Sequence, residues 1–108
     1  MIFIESKIFE KLRQKYLDDD EYYHLQDFLL SEPKAGDVIQ GTGGLRKLRW
    51  ALLNKGKRGG IRIIYLYITA RSHIHFLTVY AKKEVSDLTA EEKKILKRIV
   101  EEIKNVQP

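Results

Sequence analysis

Lys47 and Arg49 stand two apart in the run Arg46-Lys47-Leu48-Arg49, within a segment that reads as a β-strand. Strand alternation sends Lys47 and Arg49 to one face, about 7 Å apart, and Arg46, Leu48 and Trp50 to the other. A lone pair of this kind is ordinarily a solvated face. Arg62 in the next apolar segment and Lys82-Lys83 after the one beyond it alter that reading. A meander of three strands can bring these positions onto one concave surface, and cations gathered there need an anion. Phosphate is the anion that several basic side chains grip together.

The charge distribution supports such a surface. The chain carries 20 Lys and Arg against 15 Asp and Glu, a net +5, with a pI near 9.4. Residues 1–33 hold four basic and eight acidic residues, residues 84–108 five and six, but residues 34–83 hold eleven basic residues and only Asp37. A modest total thus conceals a strongly cationic middle, the electrostatic footprint of a phosphate-binding protein.

Other chemistries are weaker or excluded. Cysteine is absent, which removes disulfides, thiolate metal ligands and thiol nucleophiles. His24, His73 and His75 have no metal spacing and read as surface or edge residues. Gly41-Thr42-Gly43-Gly44-Leu45-Arg46-Lys47 lacks the Gly-Lys-Ser/Thr ending of a nucleotide-binding loop and opens a strand rather than a helix; it reads as a tight turn. Met1-Ile2-Phe3-Ile4-Glu5 has no positively charged start and meets a charge after three apolar residues, so no signal peptide is expected. The run from Ile63 to Thr69 is far short of the ~20 residues that cross a bilayer. A cytoplasmic protein without a membrane partner is expected.

The elements that must position the cations follow from periodicity. Ile2 to Glu5 suggests a short strand, and Ser6 an N-cap for a helix carrying Ile8, Phe9 and Leu12 to about Leu17. Asp18 and Glu21 have capping-box spacing before Tyr22, Leu25, Phe28 and Leu29, a second helix stopped by Pro33. Residues 33–44 are rich in turn formers and predict a loop. Leu45–Leu53, Ile61–Ile68 and Ile74–Tyr80 predict a three-stranded antiparallel meander, its first turn at Lys55-Gly56-Lys57-Arg58-Gly59-Gly60. Thr89 and Glu92 form a second capping box, and Ile95, Leu96, Ile99, Val100 and Ile103 an apolar stripe running to about Lys104. The order is βααβββα. With 108 residues, 44% of them hydrophobic, this is one α+β domain spanning residues 1–108, an antiparallel sheet packed by helices.

Three runs carry a resemblance: residues 36–49 (Gly-Asp-Val-Ile-Gln-Gly-Thr-Gly-Gly-Leu-Arg-Lys-Leu-Arg), residues 56–65 (Gly-Lys-Arg-Gly-Gly-Ile-Arg-Ile-Ile-Tyr), and residues 77–84 (Leu-Thr-Val-Tyr-Ala-Lys-Lys-Glu) followed by Asp87-Leu88. Together they resemble the HigB branch of the RelE/ParE toxin superfamily, over essentially the whole chain. The resemblance implies a compact RelE-like fold and a toxin of a type II toxin–antitoxin pair. It further implies a ribosome-dependent endoribonuclease that cuts translated mRNA in the A site of the 70S ribosome, without metal or other cofactor. The implied partner is a HigA-like helix-turn-helix antitoxin, through which alone the toxin would meet DNA. Lys47 and Arg49 match basic strand positions that serve as base or phosphate stabilisers, and Arg62 matches the arginine on the scissile phosphate. Lys82 and Lys83 match the basic pair after the last strand. Arg46, Lys55, Lys57 and Arg58 are expected RNA contacts, and Tyr80, beside the basic end of its strand, is the aromatic expected to stack on a base. Thr89 stands roughly where RelE carries a tyrosine, and neither His73 nor His75 lies there, so the resemblance assigns no general acid.

Two other activities fit the same fold and charge: a ParE-like inhibitor of DNA gyrase, against which Lys47, Arg62 and Lys82 count, and a non-catalytic ribosome- or RNA-binding module whose cations merely neutralise phosphates.

Overall fold

The computed structural model describes residues 1–52 and 60–106. The chain opens with strand β1 (Ile2–Glu5) and turns directly into helix α1 (Lys7–Tyr16). Ser6 makes that turn: its hydroxyl accepts the Phe9 N–H at 3.0 Å and donates to the Leu77 carbonyl at 2.7 Å, tying the helix start to the sheet. Asp18 caps α2 (Asp19–Ser31) by accepting the Glu21 N–H at 2.8 Å, and Asp19, Asp20 and Glu21 lie at the positive end of the helix dipole. Strands β2 (Asp37–Val38), β3 (Arg46–Trp50), β4 (Ile61–Ile68) and β5 (His73–Ala81) follow, and α3 (Ala90–Asn105) closes the domain behind the full Thr89/Glu92 capping box.

The five strands lie in the order β1-β5-β4-β3-β2. The expected meander is its centre, and β1 and β2 are additions to it. β1 pairs parallel with β5, Ile2 opposite His73 and Ile4 opposite His75, so the sheet is mixed rather than purely antiparallel. The helical pair α1/α2 carries the chain away before β3 begins, which leaves the open edge of β5 to β1. β2 lies inside the expected loop, because that loop doubles back until the Ile39 N–H meets the Leu45 carbonyl at 2.8 Å. Positive φ at Gly41, Gly43 and Gly44 makes the reversal possible. The expected strand from Leu45 to Leu53 is shorter, ending at Trp50, and Leu53 lies outside the described residues.

Helices cover both sides. Phe9, Leu17, Tyr22, Leu25 and Leu29 of the α1/α2 layer pack on Leu48, Ile63, Tyr65, Phe76 and Val79; Leu96 and Val100 of α3 pack on Leu45, Ile64, Leu66 and Leu77. From Ile63 to Ile68 β4 is therefore apolar on both faces and reads as an unbroken run, with Arg62 ahead of it. Phe3, Phe76 and Phe9 stack in sequence at centroid distances of 5.7 and 4.8 Å. A bulge interrupts β5. Thr78 pairs with Ile64 but Phe76 with Tyr65, so Leu77 is the extra residue. It lets Phe76 and Val79, three apart, face the same core, and it turns Tyr80 towards α3.

Candidate active site

Register alone assembles the cations. On the α3 face, Lys47 lies across from Ile64, Arg49 directly across from Arg62, and Arg62 in turn across from Tyr80. Two guanidinium-bearing residues facing one another on adjacent strands are a like-charge pair that folding disfavours. Arg62 donates to the carbonyl of its neighbour Ile61 at 3.2 Å, and Arg49 is exposed.

Asp37 of β2 lies across from Lys47, and among the described residues one carboxylate, that of Asp87, comes within ion-pairing distance of the group. Lys47 Nζ lies 3.6 Å from Asp87 Oδ1, an oxygen that also accepts the Leu88 N–H at 2.8 Å. That N–H, followed by the Lys47 charge, holds the Asp87 carboxyl below its usual range. Asp87 was missed by reasoning from cations; its signal was its place directly before the apolar Leu88 and the α3 cap. Tyr80 is only 8% exposed, packed among the residues under α3, and its hydroxyl has no hydrogen-bond partner among the described residues. Burial pushes that phenol up, with Asp87 and Glu92 acting in the same direction and Arg62 against them. The sequence reading has this ring stacking on a base; the structure leaves it little exposed surface. The bulge and Leu88 account for the burial.

The other expected site residues separate into three groups. Lys82 and Lys83 occupy the exposed turn after β5, where the Lys82 N–H reaches the Gly60 carbonyl at 3.3 Å, next to the start of β4 and two residues from Arg62. Arg46 is on the opposite face, and its guanidinium donates to the carbonyls of Lys34 at 3.1 Å and Gly36 at 2.8 Å; it fastens the loop before β2. Lys55, Lys57 and Arg58 lie outside the described residues. Thr89 is engaged as a cap, its hydroxyl accepting the Glu92 N–H at 3.1 Å while the Glu92 carboxylate accepts the Thr89 N–H at 2.8 Å. His73 and His75 sit at the far end of β5, on the same face as the cations but not among them. The Gly-Thr-Gly-Gly segment is a turn: Thr42 donates to the Ile39 carbonyl at 2.6 Å, and Lys104 donates to the Gly43 carbonyl at 2.5 Å.

Among the described residues no group of three or more His, Cys, Asp or Glu is placed to hold a metal, and no helix is long and apolar enough to cross a membrane. What the arrangement offers is a set of fixed, mostly exposed positive charges on a rigid sheet, one of them paired with a displaceable carboxylate. Such a set can bind a phosphodiester and stabilise additional negative charge on it.

Known proteins of this shape exist. A free-state mutant of the E. coli toxin RelE is 17% identical and superposes with a TM-score of 0.54 over 79% of this chain and 86% of its own. The toxin–antitoxin complex RelBE of E. coli gives 18% identity and a TM-score of 0.51 over 72% of this chain and 92% of that one. At these identities the likeness is one of fold. The family profile described as the RelE toxin of the RelE/RelB toxin–antitoxin system matches residues 2–107, from the first strand past the last helix, and the chain therefore belongs to the RelE toxin family.

Proposed function

We propose that this toxin is a ribosome-dependent endoribonuclease of the HigB type, cleaving translated mRNA in the ribosomal A site. The observation that carries the reading is the facing of Arg49 and Arg62 beside Lys47 on one side of the sheet. Two arginines that face one another with no carboxylate between them gain little from each other, and a phosphodiester turns their weak repulsion into attraction.

In the reaction the ribose 2′-OH attacks the adjacent phosphorus in line, and the 5′-oxygen of the next nucleotide leaves. The products are a 2′,3′-cyclic phosphate and a 5′-OH, with the proton lost from the 2′-oxygen balanced by one gained at the leaving oxygen. Arg62 grips the non-bridging oxygens, for which its planar fork of donors is suited. Arg49 stabilises the charge that grows on the phosphorane. Lys47, released from Asp87 when phosphate arrives, takes the place nearest the 2′-oxygen. Lys82 and Lys83, in the adjoining turn, hold the flanking backbone. These groups supply positive charge to the phosphodiester, and alignment of the RNA is assigned to the ribosome. The partner in the cell is a HigA-like helix-turn-helix antitoxin, and the site of action is the cytoplasm.

Mapping the ends of an mRNA translated in vitro tests the reading. Cuts at A-site codons that require ribosomes and bear 2′,3′-cyclic phosphate ends are expected. Cleavage of naked mRNA at a comparable rate would contradict the ribosome-dependent mechanism, and gyrase-linked DNA damage without RNA cuts would replace it.

A further inference from the structure

At the opposite end of the α3 face the sheet and helix part to leave a cleft of about 560 Å³. Its walls are Ile4 of β1, Ala70 of the turn before β5, and Ile103 and Val106 at the end of α3; its polar side is Arg71, His73 and His75. Arg71 is fixed there by the carbonyls that end α3, donating to Ile103 at 3.2 Å and Val106 at 2.8 Å. The two imidazoles project from one face of β5 with ring centroids 6.0 Å apart. Nε2 of His75 is buried and has no hydrogen-bond partner among the described residues. An orphaned buried polar atom costs roughly 1–3 kcal/mol, and native folds seldom retain one without a use.

We propose that this cleft binds a small organic carboxylate with an apolar body, its acid head on His75, His73 and Arg71 and its tail against Ile4, Ile103 and Val106. Volume and lining are those of a small-molecule site, mostly apolar with a few convergent polar groups. The head is anionic because the polar side chains of the wall are Arg71, His73 and His75, the Ile103 and Val106 carbonyls beside them are already engaged by Arg71, and none of the lining residues is acidic. Burial, then the neighbouring His73 and Arg71, keeps the His75 imidazole below its ordinary range. A divalent metal fits less well, since Arg71 stands beside the imidazoles and, among the described residues, no third ligand of the usual kind joins them. The ligand would join the last turn of α3 to β1 and β5. His75 lies across from Leu66 and Tyr80 across from Arg62, four ladder steps or about 13 Å apart, so the cleft is separate from the phosphate cluster.

Calorimetric titration of the full chain with octanoate, and with octanamide as its uncharged counterpart, tests the assignment. Saturable one-to-one octanoate binding is expected, with octanamide at least tenfold weaker. His75→Leu and the cleft-filling Ile103→Trp should each reduce octanoate affinity at least tenfold, while Arg62→Met leaves it unchanged. If His75→Leu does not fold by circular dichroism, Ile103→Trp decides alone. Absence of saturable binding, equal affinity for acid and amide, octanoate affinity that survives the folded variants, or nickel uptake without octanoate binding would each overturn it.

Discussion

Replacing Arg62 by Met separates what the cation cluster does for the fold from what it does for RNA. Met keeps the unbranched stem that packs on the half-buried strand and removes only the guanidinium. With cross-strand Cβ atoms about 5 Å apart, the Arg49 and Arg62 charges can splay to about 7 Å, where they repel by about 0.6 kcal/mol in a water-like dielectric. Screening reduces this to about 0.2–0.3 kcal/mol at 0.15 M salt and almost to nothing at 1 M. Against it stands one internal hydrogen bond, from Arg62 to the adjacent Ile61 carbonyl, worth about 0.5 kcal/mol at the low end of such bonds. Arg62→Met should thus lie within about 0.5 kcal/mol of the parent in urea unfolding, relatively more stable at 10 mM salt than at 1 M. Cleavage in the translation assay should nevertheless fall about 10²–10³-fold, the cost of removing one preorganised donor from a developing oxyanion. A stability loss above about 1.5 kcal/mol without salt dependence would give Arg62 a structural role and refute the argument from the facing pair. Undiminished cleavage by the folded variant would refute its role on the phosphate.

Two further substitutions discriminate between roles at the α3 end of the site. Thr89→Ala removes the cap hydroxyl and should lower unfolding stability by about 1 kcal/mol, with cleavage changed no more than about twofold once protein concentration is corrected for the folded fraction; a hundredfold loss would make Thr89 a reacting group instead. Asp87 has a folded pKa below its unfolded one, so its contribution to stability is present above the unfolded carboxylate value near 4 and is lost as pH falls through the lower, folded value. Asp87→Asn should therefore make the acid limb of a pH–stability curve shallower. As the group is exposed, the effect is no more than a few tenths of a kcal/mol; an unchanged acid limb would mean that Lys47 and Leu88 do not hold the carboxylate in solution.

The helices, the three central strands and the facing of Lys47 with Arg49 were legible because each rests on local rules: caps at Ser6, Asp18 and Thr89, and period-two or helical spacing of apolar residues. The pairing of β1 was not, since four residues do not say whether their neighbour runs parallel. β2 was not either, since two residues are too few to alternate. Arg46 illustrates a different limit. Its placement across the sheet from Lys47 was readable, yet its commitment to the Lys34 and Gly36 carbonyls depends on how the preceding loop folds. Tyr80 shows the sharpest gap between pattern and structure. Its neighbours Lys82 and Lys83 mark a basic surface, but burial under Leu88 and α3 is a long-range event invisible in the strand itself.

The extra residue at Leu77 has a meaning for how this chain can vary. It resets the parity of β5: everything before it is counted from the Phe76 side, everything after it from the Tyr80 side. A single insertion or deletion in the Gly-rich turn before β3 disturbs the Thr42 bonds and the pairing of β2 but leaves the alternation of β3, β4 and β5 as it is. Deleting Leu77 would restore plain alternation and leave Val79 and Tyr80 on their present faces, at the loss of the carbonyl to which Ser6 donates, whereas an added residue not absorbed by a second bulge would carry Val79 towards α3 and Tyr80 towards α1. The bulge is thus the point in β5 where one residue more or less decides between a straight and a bent strand, and its carbonyl is the one to which Ser6 anchors the first helix.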